Sequence, residues 1–244
     1  MYQEGGPLGA GGTRQSELAR VGIGGRLKVK SAIVLLLMLS GSAAAQDASE
    51  VLFAKARGLN ASMRDSSANI DVAIDANFGF IPYRPKMNGK YLFKRPDKHK
   101  VDLQNAPGYL KKYGNVFGVH LPQLERYTAK VLEPSELNGR QVQKVELKPK
   151  VKVSDIDRID LYIDPERGTV PKYDTIYSQG HLYVDIDFVE DQGYWVFKHM
   201  KAEFALPSIT AMATADYSKY EFNQNLSDSV FGWMNEVYEL ARRT

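Results

Sequence analysis

Between Arg158 and Phe231 the sequence leaves room for little except a succession of antiparallel strands. Arg158-Ile-Asp-Leu-Tyr-Ile-Asp164 alternates apolar and polar residues, and Pro165-Glu-Arg-Gly168 turns the chain. Val170 to Ser178 reads as a second strand ending at the tight turn Gln179-Gly180. His181 to Glu190 reads as a third, closed by Asp191-Gln-Gly193. Tyr194 to Leu206 and Ile209 to Phe222 follow, long enough to cross a wide sheet. Period-two alternation of β-branched and aromatic residues, punctuated by turns, is a strong local signature of strands with one buried face. The expected class is α+β, built on a large curved antiparallel sheet.

The upstream half extends this pattern. Ile70, Val72, Ile74, Ala76, Phe78 and Phe80 alternate with Asn69, Asp71, Ala73, Asp75 and Asn77, which predicts a long strand with one apolar face. Pro82-Tyr-Arg-Pro85 and Asn88-Gly89 supply turn chemistry. A strand is expected from Lys90 to Asp97, stopped at Pro96, and a short one from Lys100 to Gln104. Tyr127–Glu133 and Gln141–Lys148 read as a hairpin about Asn138-Gly139. Val151 to Asp157 is a polar connection. The aperiodic segment Asn105–Gln123 holds Tyr109, Leu110, Tyr113, Val116 and Phe117 among glycines and prolines, as expected of a flap covering something apolar.

Helical spacing appears at the two ends of this region. Leu52, Ala56, Leu59 and Met63, with Phe53 alongside, form one stripe within a helix from Asp47 to Arg64. Asp47 or Ser49 is placed to cap it, and Asp65-Ser-Ser67 to end it. Asp228-Ser-Val-Phe231 reads as the start of a short helix running through Trp233, Val237 and Leu240.

Residues 26–45 have a different character. Arg26, Lys28 and Lys30 precede the apolar run Ala32–Leu39, and Ala43-Ala-Ala45 offers small residues for a peptidase. That is the pattern of a cleaved secretory signal, with an apolar core far below the roughly 20 residues of a membrane span. Cleavage is expected after Ala45, leaving residues 46–244 as one domain exported to the periplasm. Residues 1–25, rich in glycine and aperiodic, read as a non-folding extension, with initiation expected nearer Val29. Residues 1–45 hold five of the 32 basic and two of the 29 acidic residues, so cleavage leaves 27 of each. A neutral domain gives no electrostatic reason to expect nucleic acid as a partner. The absence of cysteine removes disulfides, a thiol nucleophile, Cys-ligated zinc and lipidation at a new N-terminal cysteine.

Motifs for catalysis are missing. His99, His120, His181 and His199 show no metal-ligand spacing and read as polar-face or edge residues. There is no H-E-x-x-H, G-x-S-x-G or phosphate-cradling glycine loop. Asp155, Asp157, Asp160 and Asp164 form one acidic group, and Asp185 with Asp187 a second. Carboxylates on one strand face suit acid–base work or calcium, but more often they are the solvated side of a half-buried sheet. The expectation is a protein that is not an enzyme and needs no metal or cofactor.

Several short motifs carry a resemblance. The signal, the amphipathic helix, the long strand and the strand ending in Lys94-Arg-Pro-Asp97 resemble the outer-membrane lipoprotein-sorting proteins, the LolA/LolB-like family. Glu136-Leu-Asn-Gly-Arg140 with Val145-Glu-Leu-Lys-Pro-Lys150, then Ile159–Asp164 with its Gly168 turn, resemble the family's central hairpin and following strand. Gly193-Tyr-Trp-Val196 and Tyr220–Phe231 are similar to its ending. The resemblance implies an unclosed β-barrel under a helical lid, whose hollow holds acyl chains in transit across the periplasm. It implies Val72, Ile74, Phe78, Phe80, Tyr91, Phe93, Leu161, Ile163, Val184, Ile186, Phe188 and Phe204 as hollow-lining candidates, with Leu52, Leu59 and Met63 in the lid. Arg95 is then expected to touch the lid or a lipid head group, or else to be a solvent-facing edge charge. Segment 105–123 lacks the family's Asp-Gly turn and the strands after Gln179 are longer, so the cargo is either lipoprotein or another lipid. Such a carrier acts as a monomer and meets a delivering or accepting protein in the inner or outer membrane. The rival readings are an envelope sensor of the same fold and a hydrolase working through Asp185 and its neighbours.

Overall fold

The computed structural model describes residues 48–78, 81–104, 106, 117–119, 121–152, 155–207 and 209–231. The expected extension and signal, the cap candidate Asp47, Phe80, most of the flap, His120 and the terminal helix beyond Phe231 lie outside these residues. Phe78 enters only as the last backbone position of its strand.

One antiparallel sheet organises the chain. Its strands are β1 (Asp65–Phe78), β2 (Ile81–Tyr83), β3 (Lys86–Lys94), β4 (Lys98–Leu103), β5 (Tyr127–Leu137), β6 (Arg140–Pro149), β7 (Ile156–Ile163), β8 (Lys172–Tyr177), β9 (Gly180–Asp191), β10 (Tyr194–Leu206) and β11 (Ile209–Phe222). Their order is β4-β3-β1-β11-β10-β9-β8-β7-β6-β5, with β2 paired to β1 off this path. Every neighbour pair from β5 to β11 is a hairpin or a short connection. The pairing of longest range joins β1 to β11, where Ile70 faces Tyr217 and Val72 faces Ala215. Among the described residues β4 and β5 are free edges, so the barrel is unclosed.

Turn chemistry explains most boundaries. Asn138 and Gly139 both have positive φ, 52° and 74°, as a two-residue hairpin of matching twist requires. Asn88-Gly89 does not turn the chain. It lies inside β3, where a Cβ on Gly89 would stand 2.1 Å from the Asp102 carbonyl oxygen of β4. A glycine in a strand marks such close backbone approach, and the chain reverses earlier, between β1 and β2, where Phe78 pairs with Ile81; β2 and β3 then run in one direction along β1. Asp65-Ser66-Ser67, expected to end a helix, opens β1 because its polar groups are satisfied there. Buried Asp65 accepts the backbone N–H of Gln224 at 2.7 Å and of Leu226 at 3.3 Å.

Helix α1 covers residues 48–58 and stops short of Arg64, with Ser49 inside it rather than capping it. Asn60, at φ 55°, takes the left-handed conformation that ends helices, and residues 59–62 form turns. The helix buries Phe53 completely, with Ala56, against Val145 and Leu147 of β6 and Ile159, Leu161 and Ile163 of β7. Burial of a phenylalanine contributes about 1.5–3 kcal/mol. A second apolar cluster lies on the inner faces of β1, β3, β4, β9, β10 and β11, built on Ala68, Ile70, Val72, Tyr91, Val184, Ile186 and Met200 and joined by Phe117. Between the two clusters the sheet is not filled.

Candidate functional site

A cavity of about 700 Å³ occupies that gap. Tyr91, Phe93 and His99 from β3 and β4, Phe188 from β9, Trp195 and Phe197 from β10, and Tyr220 from β11 line it on the sheet side. Ala56, Leu59 and Met63 come from the helix and the turns after it, and Val119, Leu121 and Tyr127 from the segment entering β5. The rings pack edge to face: Phe188 and Phe197 have centroids 5.4 Å apart, Tyr91 and Phe197 5.7 Å. The two tyrosine hydroxyls on this wall are already engaged. Tyr91 Oη lies 2.7 Å from His99 Nδ1, and Tyr220 Oη donates to the Phe197 carbonyl at 2.9 Å. Burial pushes both hydroxyls well above the ordinary tyrosine range, so the hollow stays uncharged on this wall.

The lid is held at its C-terminal end. Arg95 Nε donates to the Met63 carbonyl at 2.9 Å, Nη1 to the Arg57 carbonyl at 3.3 Å and Nη2 to the Leu59 carbonyl. The last carbonyls of a helix have no intrahelical partner, and a guanidinium fork reaches several at once. Asn60 bonds the backbone of Trp195, whose ring lies under the Arg167 guanidinium at 3.9 Å. Gly168, at φ 81°, lies so close to the helix that a Cβ would be 2.8 Å from the Lys55 carbonyl oxygen. The Arg95–Pro96 peptide is cis.

Solved structures share this architecture. An outer membrane lipoprotein-sorting protein domain from Vibrio parahaemolyticus superposes with a TM-score of 0.51 at 14% identity, over 69% of this chain and 89% of that one. A LolA superfamily protein from Nitrosomonas europaea gives 0.51 at 14%, over 77% and 96%. A DUF1329 family protein from Desulfovibrio piger gives 0.53 at 14%, over 74% and 94%. The fold is LolA-like. No protein-family model and no curated protein matches the sequence.

In this LolA-like sheet Tyr91, Phe93 and Phe188 line the cavity, together with Leu59, Met63 and Arg95. Val72, Ile74, Val184, Ile186 and Phe204 face the same side but belong to the packed cluster beside it. Leu161 and Ile163 lie in the cluster beneath the helix, and Leu52 packs against that cluster. Asp185 and Asp187 alternate with Val184 and Ile186 and are exposed on the opposite face, away from the cavity. Asp160 and Asp164, buried, take Lys144 at 2.9 Å and Arg140 at 3.2 Å.

Phe197, Tyr220, Trp195 and His99 were not among the residues expected to line a hollow. Counting back by twos from Phe204 puts Lys198 inside and Phe197 outside. A bulge between Phe197 and His199 lets Lys198 drop out of register, so that Phe197 faces Phe188 on the inner side. On β11 a register shift near Lys219, at φ 52°, brings both Tyr217 and Tyr220 inward. His99 departs from the expected polar-face placement because Tyr91 supplies its partner inside.

Proposed function

We propose that the protein is a periplasmic carrier that takes acyl chains of a lipid or lipoprotein into the hollow and moves them between envelope membranes. The observation that carries this reading is the aromatic-walled cavity between two packed clusters of one open sheet. Its volume of 700 Å³ falls within the usual 300–1,000 Å³ of small-molecule sites. Transfer of each methylene from water contributes about 0.8 kcal/mol, so ten buried methylenes correspond to about 8 kcal/mol of gross driving force, against which the ordering of chain and ligand counts. The secretory signal read in residues 26–45 supports a periplasmic location, and the LolA-like fold supports a binding role. A membrane protein that hands over or receives the chains completes the cycle.

Native mass spectrometry with lipid extraction, on mature protein purified from its own periplasm, tests the proposal. The expected result is acyl-chain species at near one per protein. Lipid-free protein that also ignores fluorescent fatty-acid probes would overturn it.

A further inference from the structure

Arg57, Arg95 and Arg126 line the cavity, and they are not equivalent. Arg95 has its fork committed to three lid carbonyls. Arg57, on the last turn of α1, is exposed: Nη2 is 3.4 Å from the Pro122 carbonyl oxygen, and its guanidinium carbon stands 5.7 Å from the Phe53 ring centroid. Arg126 closes the 3₁₀ turn Leu124–Arg126, where its backbone serves Gln123 and Lys150 while its guanidinium has no hydrogen bond or ion pair among the described residues. Asp97 and Glu125 also line the cavity, yet neither forms an ion pair with any of the three.

Arg57 and Arg126 come from different walls of one opening, the helix and the segment entering β5, which meet at the Arg57–Pro122 contact. Deeper in, Phe93, Phe188 and Phe197 make the cavity apolar. An amphiphile with its chain against those rings leaves its polar end beside two unneutralised guanidinium groups. Guanidinium forks fit phosphate oxygens in a planar, bidentate way that a carbonyl or an ammonium head group cannot match.

Resting on the carrier reading, we propose that the hollow prefers amphiphiles with an anionic phosphate head group, gripped at its mouth by Arg57 and Arg126. Each contact is solvent-exposed and screened, so the pair is expected to give about a tenfold preference rather than an absolute requirement.

Calorimetric titration of the mature protein with three probes tests this: a short-chain diacyl phosphoglycerol lipid, the neutral diacylglycerol with the same chains, and inorganic phosphate. The anionic lipid is expected to bind about tenfold tighter than the neutral one, with the gap narrowing as salt rises. R57Q with R126Q should bring the two lipids to parity, and R57K with R126K should keep part of the gap. Equal affinity in the unmodified protein, or a gap that survives the double glutamine variant, overturns the proposal. Inorganic phosphate binding as tightly as the anionic lipid would assign the rim to free phosphate and likewise overturn it. If neither lipid binds, the carrier reading falls with it, whereas neutral binding without preference removes only the head-group site.

Discussion

The side-chain amide of Asn60 and the backbone of Trp195 exchange two hydrogen bonds, Nδ2–H to the Trp195 carbonyl at 2.7 Å and the Trp195 N–H to Oδ1 at 2.9 Å. Asn60 thus plays the part of a neighbouring strand residue at the start of β10, while its positive φ ends the lid. One residue couples the stop of the helix to the mouth of the hollow.

Replacing Asn60 separates these two roles. N60A loses two hydrogen bonds and also the short polar side chain that lets asparagine tolerate the left-handed region, a combined cost of about 2–4 kcal/mol. N60G keeps the backbone conformation and loses only the bonds, so it is expected to be the milder variant. Urea denaturation of both checks the order. Equal stability of N60A and the unmodified protein would mean that the lid is not anchored there.

Arg95 is expected to control the lid more than the sheet. R95A leaves the carbonyls of Arg57, Leu59 and Met63 without their donor, at a cost of about 2–3 kcal/mol. R95K is predicted to rescue little, because a single ammonium cannot span three acceptors. Hydrogen exchange should accelerate in residues 48–63 of both variants and stay slow in β9 and β10. Uniform acceleration through the sheet would place the role of Arg95 in folding as a whole.

Much of this arrangement was legible in the sequence, for physical reasons that differ by region. Strands β9 and β11 showed themselves because one face of each is buried and the other is wet, and β7 by its alternating residue types, although Asp160 on its other face is buried as well. The lid showed itself as a stripe, although its end at Gly58–Asn60 required the partner Trp195 to be seen. The phase of Phe197 and Tyr220 was hidden, because a bulge breaks alternation for the sake of a neighbouring strand and leaves no local mark. Asn88-Gly89 misled because glycine serves a close approach as readily as a turn. Arg95 stood out beside Pro96, but its three acceptors lie more than 30 residues away in the chain.

Asp174 predicts an unusual pH dependence. It sits buried on β8, opposite Asp160 of β7, and burial first, then Asp160 and Asp185, raise its pKa, while Lys172 and Lys144 oppose the rise. A carboxyl whose folded pKa lies above its unfolded value contributes most below the unfolded value and loses that contribution as pH rises through the folded one. At neutral pH this site therefore carries a cost. D174N is expected to stabilise the protein by about 1 kcal/mol at pH 7, or about 2–4 °C in Tm, and to flatten the acid side of its stability curve. A lower Tm for D174N at pH 7 would show that the charge is stabilising where it lies.

Phe93 tests the cavity wall. Its ring is only partly buried and lines the hollow beside His99, with centroids 5.0 Å apart. F93D puts a charge where acyl chains are proposed to lie, and binding of a fluorescent fatty-acid probe should fall at least tenfold while the far-ultraviolet circular dichroism of the sheet is retained. Undiminished probe binding would move the chains to another surface.

Two glycines with similar backbones separate conformational strain from lid contact. Gly139 and Gly168 have φ of 74° and 81°, so alanine is disfavoured at both by about 1 kcal/mol. A methyl group on Gly139 would meet nothing within 4 Å, whereas one on Gly168 would stand 2.8 Å from the Lys55 carbonyl oxygen. G139A is therefore expected to show only the backbone cost. G168A should cost roughly 2–3 kcal/mol, because the helix must also move off its seat against β6 and β7. The lid should respond in step: exchange in residues 48–58 rises in G168A and not in G139A. Identical behaviour of the two variants would mean that the helix yields freely at Lys55 and that the hollow is opened by its motion rather than held shut by its packing.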